Sequence, residues 1–231
     1  MILSKVKASI ISQISHQKSE VVAEVDIRVV RRVFSIAGVH GSGKTTLYNS
    51  LRAIHEGEGN WIFMPERRGH PPYPFGSKDP QIAFRAELWY LRQMLERNKF
   101  IRKCDNDSTV IVCDRSPVCV LAYSHALCSP NDYRTIRDLY YSVEWEEDAI
   151  FYLEMTVGST AIRLTSGRRR NLTKWNEGDE AYIMRVLTGY EKAFKDIRQN
   201  GSINLIRIPN GEARPKETIQ KIISEIEKKL K

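Results

Sequence analysis

The sequence predicts an α/β fold, a five-stranded parallel sheet with helices on both faces. Three observations carry that prediction. Five short apolar runs, Val33–Ala37, Trp61–Met64, Thr109–Cys113, Ile150–Glu154 and Asn204–Ile208, have the length and composition of buried strands. Segments of helical period separate most of them, and strands that alternate with helices form a parallel sheet covered on both sides. A glycine-rich turn follows the first run and opens directly into a helix.

The elements follow in order. Residues 1–32 precede the first strand. Ile10, Ile11 and Ile14 fit one helical face, and Val21, Val22 and Val25 fit another, so this stretch is expected to be an N-terminal helical extension. It packs on the core, or it serves as a dimer contact or partner arm. A helix is expected from about Lys44 to His55. A longer one is expected over Ile82–Arg97, with Phe84, Leu88, Leu91 and Leu95 inward. Further helices are expected over Asp132–Val143 and Asp179–Arg198, and Ile219, Ile222, Ile223, Ile226 and Leu230 mark a closing one. The run Pro71–Pro72–Tyr73–Pro74–Phe75–Gly76 cannot be a helix interior, because proline lacks the donor and its ring clashes. It is either a rigid connector or the wall of a substrate pocket.

With 231 residues, 42% hydrophobic and 28% charged, the composition is that of a soluble globular chain. No apolar run approaches the roughly 20 residues of a membrane span. The first 19 residues carry Lys5, Lys7 and Lys18 and no acid, but they also contain no Arg, against a targeting peptide. The four cysteines, Cys104, Cys113, Cys119 and Cys128, form no C-x-x-C pair and are read as free thiols of a reducing, cytoplasmic compartment. The net charge of +8 fits either a nucleic-acid partner or a polyanionic small ligand.

Gly38–Val39–His40–Gly41–Ser42–Gly43–Lys44–Thr45 fits G-x-x-x-x-G-K-[ST], with a strand before it and a helix after it. Glycines let the backbone wrap phosphates, and the helix adds its positive N-terminal end. Gly38, His40, Gly41, Ser42, Gly43, Lys44, Thr45 and Thr46 are therefore the candidate nucleotide-binding residues. Lys44 supplies charge to the β and γ phosphates of ATP, and the Thr45 hydroxyl is suited to Mg2+. Val110–Ile111–Val112–Cys113–Asp114 is an apolar strand ending in a carboxylate, and Asp114 is the expected second holder of Mg2+.

The chain resembles the nucleoside and nucleotide kinases of the thymidylate kinase and deoxynucleoside kinase group. The resemblance rests on the phosphate loop, then Pro65–Glu66–Arg67, then Asp114–Arg115–Ser116 with Ala122–Tyr123–Ser124. Last come Tyr152–Leu153–Glu154, Ala161–Ile162–Arg163 and the cluster Arg168, Arg169, Arg170. It implies a P-loop NTPase fold of nucleotide-kinase type over 33–231, with a lid at about 158–178. It also implies ATP–Mg as phosphoryl donor, and a nucleoside or nucleoside monophosphate as acceptor. A homodimer is the oligomer it suggests. Glu66 would take the proton of the attacking hydroxyl or orient the acceptor, or else simply pair with Arg67 or Arg68. Arg115, Arg163 and Arg168 would neutralise phosphoryl charge. Trp89, Tyr90, Tyr73 and Phe75 could stack a base. The chain departs from the thymidylate kinase pattern at His40, Pro65–Glu66–Arg67, Ser116 and Ser124, which puts the acceptor in doubt more than the chemistry. A polynucleotide 5′-hydroxyl or other metabolite kinase, and an ATP-binding regulatory switch, remain as alternatives.

Overall fold

A computed structural model describes residues 31–66, 69–74, 76–104, 109–166, 179–200, 203–210 and 215–230. Strands β1 (Arg32–Ala37), β2 (Trp61–Met64), β3 (Val110–Asp114), β4 (Ala149–Glu154) and β5 (Asn204–Pro209) form one sheet in the order β2-β3-β1-β4-β5. Every neighbouring pair is parallel, with Val33 opposite Ile111 and Phe34 opposite Ala149. Helices α1 (Lys44–Ile54), α2 (Pro80–Arg102), α3 (Val118–Leu127), α4 (Pro130–Tyr141), α5 (Val157–Ser166), α6 (Glu180–Asn200) and α7 (Pro215–Leu230) complete the described elements.

The period-2 alternation of a strand divides the core between the two faces. On β4, Ala149, Phe151 and Leu153 join Phe34 and Ile36 of β1 against Leu47 and Leu51 of α1 and Ile222 and Ile226 of α7. Ile150 and Tyr152 face the other way, into a cluster with Leu91 and Met94 of α2, Val118 to Tyr123 of α3, and Tyr190 and Phe194 of α6. Each fully buried side chain of this size contributes roughly 1.5–3 kcal/mol relative to exposure.

The helices begin where short polar side chains satisfy their free N–H groups. Asp79 accepts from the N–H of Gln81 at 2.8 Å, with Pro80 in the first position of α2. Ser129 Oγ accepts from the N–H of Asp132 ahead of Pro130. Asp179 accepts from the N–H of Tyr182 at the head of α6.

The structure corrects the sequence reading in three places. Helix α2 runs from Pro80 to Arg102, longer than Ile82–Arg97 at both ends. Its inward face is Ala83, Ala86, Glu87, Tyr90, Leu91, Met94, Asn98 and Ile101; Phe84, Leu88 and Leu95 are only partly buried. Helix α3 went unpredicted because Val118 to Ser124 is buried all round, and such a helix carries no period to detect. The run 69–74 with Gly76 is neither helix nor strand, as its prolines require. The extension before residue 31, Arg67, Arg68, Phe75 and the lid from 167 to 178 lie outside the described residues.

The packing of α6 on α3 depends on one glycine. A Cβ on Gly189 would stand 2.3 Å from the carbonyl oxygen of Ala122. Gly189→Ala is expected to lower stability by about 1–3 kcal/mol, because overpacking outweighs the gain of about 1 kcal/mol in helix propensity. Urea unfolding checks this; an unchanged midpoint would mean that the helices separate without cost.

Candidate functional site

The C-terminal ends of the parallel strands share one edge, where α/β sheets gather their ligands. The turn after β1 lies at that edge. Gly38, Gly41 and Gly43 have φ of 152°, 69° and 89°, backbone that side-chain-bearing residues rarely adopt. A Cβ on Gly38 would also come within 2.6 Å of Ser42 Oγ. Gly43 starts α1 without a side-chain cap, and the first turn holds no acid. The N–H groups of that turn and its positive dipole end therefore suit an anion.

Surrounding residues hold the loop in shape. Tyr190 donates from its hydroxyl to the Gly38 carbonyl at 2.8 Å. Asn210 donates to the Ser42 carbonyl at 2.6 Å and accepts from the Thr218 hydroxyl. His40 Nε2 and the Tyr182 hydroxyl share a hydrogen bond of 2.8 Å, and the His40 ring packs on Tyr123. Lys44 donates to the carbonyls of Gly38 and Val39 at 2.8 and 3.0 Å. Desolvation lowers its pKa below the usual lysine value. Thr46 sits on the exposed side of the first turn of α1.

Thr45 Oγ1 donates to Asp114 Oδ2 at 3.1 Å, joining the head of α1 to the end of β3. Burial raises the Asp114 carboxyl above the usual aspartate range, Glu66 adds to that, and Lys44 and Thr45 oppose it. A hydroxyl and one carboxylate beside a phosphate site form an oxygen donor set that fits Mg2+, which takes few protein ligands and completes its shell with phosphate and water. Among the described residues, no group of three or more His, Cys, Asp or Glu is placed to hold a metal ion by itself.

Arg115 follows Asp114 with φ of 72°, the left-handed region, at a non-glycine residue. Its guanidinium is buried, forms an ion pair with Glu66, and lies over the rings of Tyr90 at 4.7 Å and Tyr123 at 5.0 Å. Glu66 is at the C-terminal end of β2 and remains partly exposed. Glu87 of α2 is fully buried on the same side. Among the described residues neither of its carboxylate oxygens has a hydrogen-bond partner, and burial pushes its pKa up to about 8. Among the described groups Arg115 opposes that rise, and Glu66 reinforces it.

Thus Gly38, His40, Gly41, Ser42, Gly43, Lys44, Thr45, Asp114, Glu66 and Arg115 come together at one edge. Glu66 pairs with Arg115; Arg67 and Arg68, the neighbours expected of it, lie outside the described residues. Arg163 lies on α5 with its side chain outside the described set, and Arg168 lies outside it altogether. Tyr90 is buried beneath Arg115, so it packs the cation in this structure. Tyr182, Tyr190, Asn210, Glu87 and Arg97 escaped the sequence reading. Only Glu87 left a trace, as an acid at a core-facing phase of α2.

No helix among the described residues is long and apolar enough to cross a membrane, and Cys104, Cys113, Cys119 and Cys128 are all free thiols.

Comparison with known proteins agrees with this architecture. Deoxyadenosine kinase from M. mycoides, solved with products dCMP and a flexible dCDP, superposes with TM-score 0.67 at 18% identity, over 85% of this chain and 99% of that one. The same enzyme with dATP gives 0.66 at 17% identity, over 84% and 99%. Thymidylate kinase from Candida albicans gives 0.62 at 15% identity, over 87% and 92%. These likenesses concern the fold, a parallel α/β fold that the chain has in common with both kinases. Among curated protein sequences, none matches. A family profile described as AAA domain matches residues 33–202, from β1 to just past the end of α6, and on that match the chain belongs to the AAA domain family.

Proposed function

We propose that this chain is a P-loop kinase that transfers the γ-phosphoryl group of ATP to a nucleoside or nucleoside monophosphate. The single observation that carries the reading is the Glu66–Arg115 ion pair beside Lys44, Thr45 and Asp114. A site that only bound or hydrolysed ATP has no need of a buried cation and a partly exposed carboxylate at the far side of the phosphate loop. A kinase needs both, one for phosphoryl charge and one for the acceptor hydroxyl. The names of the two structural neighbours, a deoxyadenosine kinase and a thymidylate kinase, support the same acceptor class.

The residues divide the work. Backbone N–H groups of 41–45 cradle the phosphates, and Lys44 turns from the Gly38 and Val39 carbonyls to the β and γ oxygens. Thr45 and Asp114 would hold Mg2+, which when bound neutralises charge on the β and γ oxygens. Glu66 accepts the proton of the acceptor hydroxyl as its oxygen forms a bond to the γ phosphorus. The bond from that phosphorus to the β–γ bridging oxygen breaks, and ADP leaves with the electron pair. Arg115, displaced from Glu66, faces the transferred group. The work is positioning and electrostatics, with geometry set in advance.

The test measures ADP release from ATP and Mg2+ across nucleosides, nucleoside monophosphates and a 5′-hydroxyl oligonucleotide, with Lys44→Met as background. Acceptor-dependent release with one small class supports the reading. Release with the oligonucleotide alone moves it to nucleic-acid phosphorylation, and slow release indifferent to every acceptor moves it to a nucleotide switch. Glu66→Gln is expected to lower kcat by about 10²–10⁴-fold, the usual contribution of a positioned base. Nucleotide affinity should stay unchanged, since Glu66 lies on the acceptor side. An unchanged kcat would remove Glu66 from the mechanism.

A further inference from the structure

We propose that Arg97 is the positioning residue of this site, holding the Asp114–Arg115 turn in the one conformation that serves both the metal and the acceptor. The inference rests on the kinase reading for its consequence, and on geometry for its substance.

Arg97 lies on α2 and reaches across to the end of β3. Its Nη1 donates to the Asp114 carbonyl at 2.9 Å and its Nη2 to the Arg115 carbonyl at 2.6 Å. The planar fork of a guanidinium is matched to two acceptors side by side, and an ammonium is not. The peptide planes it grips lie on either side of the Arg115 Cα, the residue with φ of 72°. A non-glycine side chain rarely adopts that conformation, and it persists only where neighbours over-determine it.

A second contact fixes the turn from the other side. Ser116 Oγ donates to the buried Glu147 at 3.0 Å and accepts from the N–H of Val118 at 3.2 Å. Held between α2 and Glu147, the backbone sends successive side chains to different duties. Asp114 points to Thr45, and Arg115 points to Glu66, Tyr90 and Tyr123. Relaxing Arg115 to an ordinary φ would redirect both. Arg97 contacts neither of those side chains' candidate ligands and therefore acts through the turn.

The same helix carries Tyr90 about two turns earlier, under the Arg115 guanidinium, and Glu87 about three turns earlier, whose charge acts on it. Helix α2 thus grips the turn by its carbonyls and lines it by its side chains.

The test compares the wild type, Arg97→Met and Arg97→Lys in two measurements. The first titrates Mg2+ against binding of a fluorescent ADP analogue, with no catalysis involved. The second separates kcat from KM for ATP. For Arg97→Met the Mg2+ concentration at half-maximal binding should rise about tenfold to a hundredfold, the usual effect of losing a residue that orients a ligand. Its kcat should fall by a similar factor, with KM for ATP within about threefold. Arg97→Lys should lie between, because one ammonium reaches one carbonyl well and two poorly. A residue that merely tied α2 to β3 would lower the melting temperature and leave the Mg2+ requirement at the wild-type value; that result overturns the proposal. Should Arg97→Met fail to fold, Arg97→Lys decides in the same way. A wild type that phosphorylates no nucleoside or nucleotide sinks the kinase reading, and the Mg2+ titration still tests Arg97.

Discussion

Lys44→Met is expected to lower acceptor-dependent ADP formation by about a thousandfold while the protein stays folded. Removing one preorganised donor from a developing anion costs about 10²–10³ in kcat, and Lys44 brings a full charge as well as a donor. Its stem is part-buried, so the Met side chain occupies the same space. The Gly38 carbonyl keeps its bond from the Tyr190 hydroxyl, so the loop retains a tie to α6 after the ammonium is gone. The loss should therefore appear in turnover at saturating acceptor and not in the melting temperature. A variant that kept a tenth of the rate would show that the loop's N–H groups and the metal suffice without it.

The second large effect is on stability against pH. Glu87 has a folded-state pKa of about 8 against 4.5 for the free group, with burial as the first cause. Between those values the folded protein keeps a proton that the unfolded chain has released. Stability falls with rising pH wherever the folded state binds more protons. The contribution of Glu87 should thus be greatest below about pH 4.5 and weaken up to about pH 8, by about 1.4 kcal/mol for each pH unit in the middle of that range. Glu87→Gln copies the neutral acid in shape and cannot ionise. At pH 7 it should be more stable than the wild type by on the order of 3 kcal/mol, and near pH 5 almost equal to it. Glu147, with a pKa pushed by burial to about 7, titrates in the same direction, so the variant retains a shallower slope. Urea midpoints at pH 5.5 and 8 read the difference. Parallel curves for the two proteins would show that Glu87 is ionised in the fold.

What the sequence made legible was contiguous. Gly38 to Thr46 carry the whole phosphate cradle in nine residues, with their spacing fixed by local geometry. Asp114 was visible because an apolar strand ends in it. Glu66 and Arg115 entered by resemblance, and their mutual pairing did not, since 49 positions separate them. The contacts that brace the loop come from farther still. Tyr190 lies 152 positions from Gly38, and Asn210 lies 168 from Ser42. A tyrosine on a core helix and an asparagine after a strand have many ordinary uses, and only the fold assigns them this one. The inward face of α2 was misread for a related reason. Large Leu and Phe side chains dominate its pattern, while small Ala83 and Ala86 and polar Glu87 and Asn98 occupy the buried side. Helix α3 is buried on every side from Val118 to Ser124 and offers no phase there.

The place of β1 in the sheet bears on how the chain is made. It is the first strand in sequence to be described and the central one in space, flanked by β3 and β4. Val33 waits for Ile111, and Phe34 waits for Ala149. During synthesis from the N-terminus at about 5–20 residues per second, β1 has no partner on either edge for several seconds. Its apolar residues, and the glycine turn that depends on them, are exposed for that interval. Non-local pairing of this kind makes folding slow and leaves unpaired strand edges open to other chains. Nucleotide is expected to help little in the early stages, because the contacts that brace its loop come late, from Tyr190 on α6 and Asn210 after β5. The nascent chain is therefore most vulnerable before its own ligand can protect it, and chaperone dependence should be greatest over the stretch between β1 and β4.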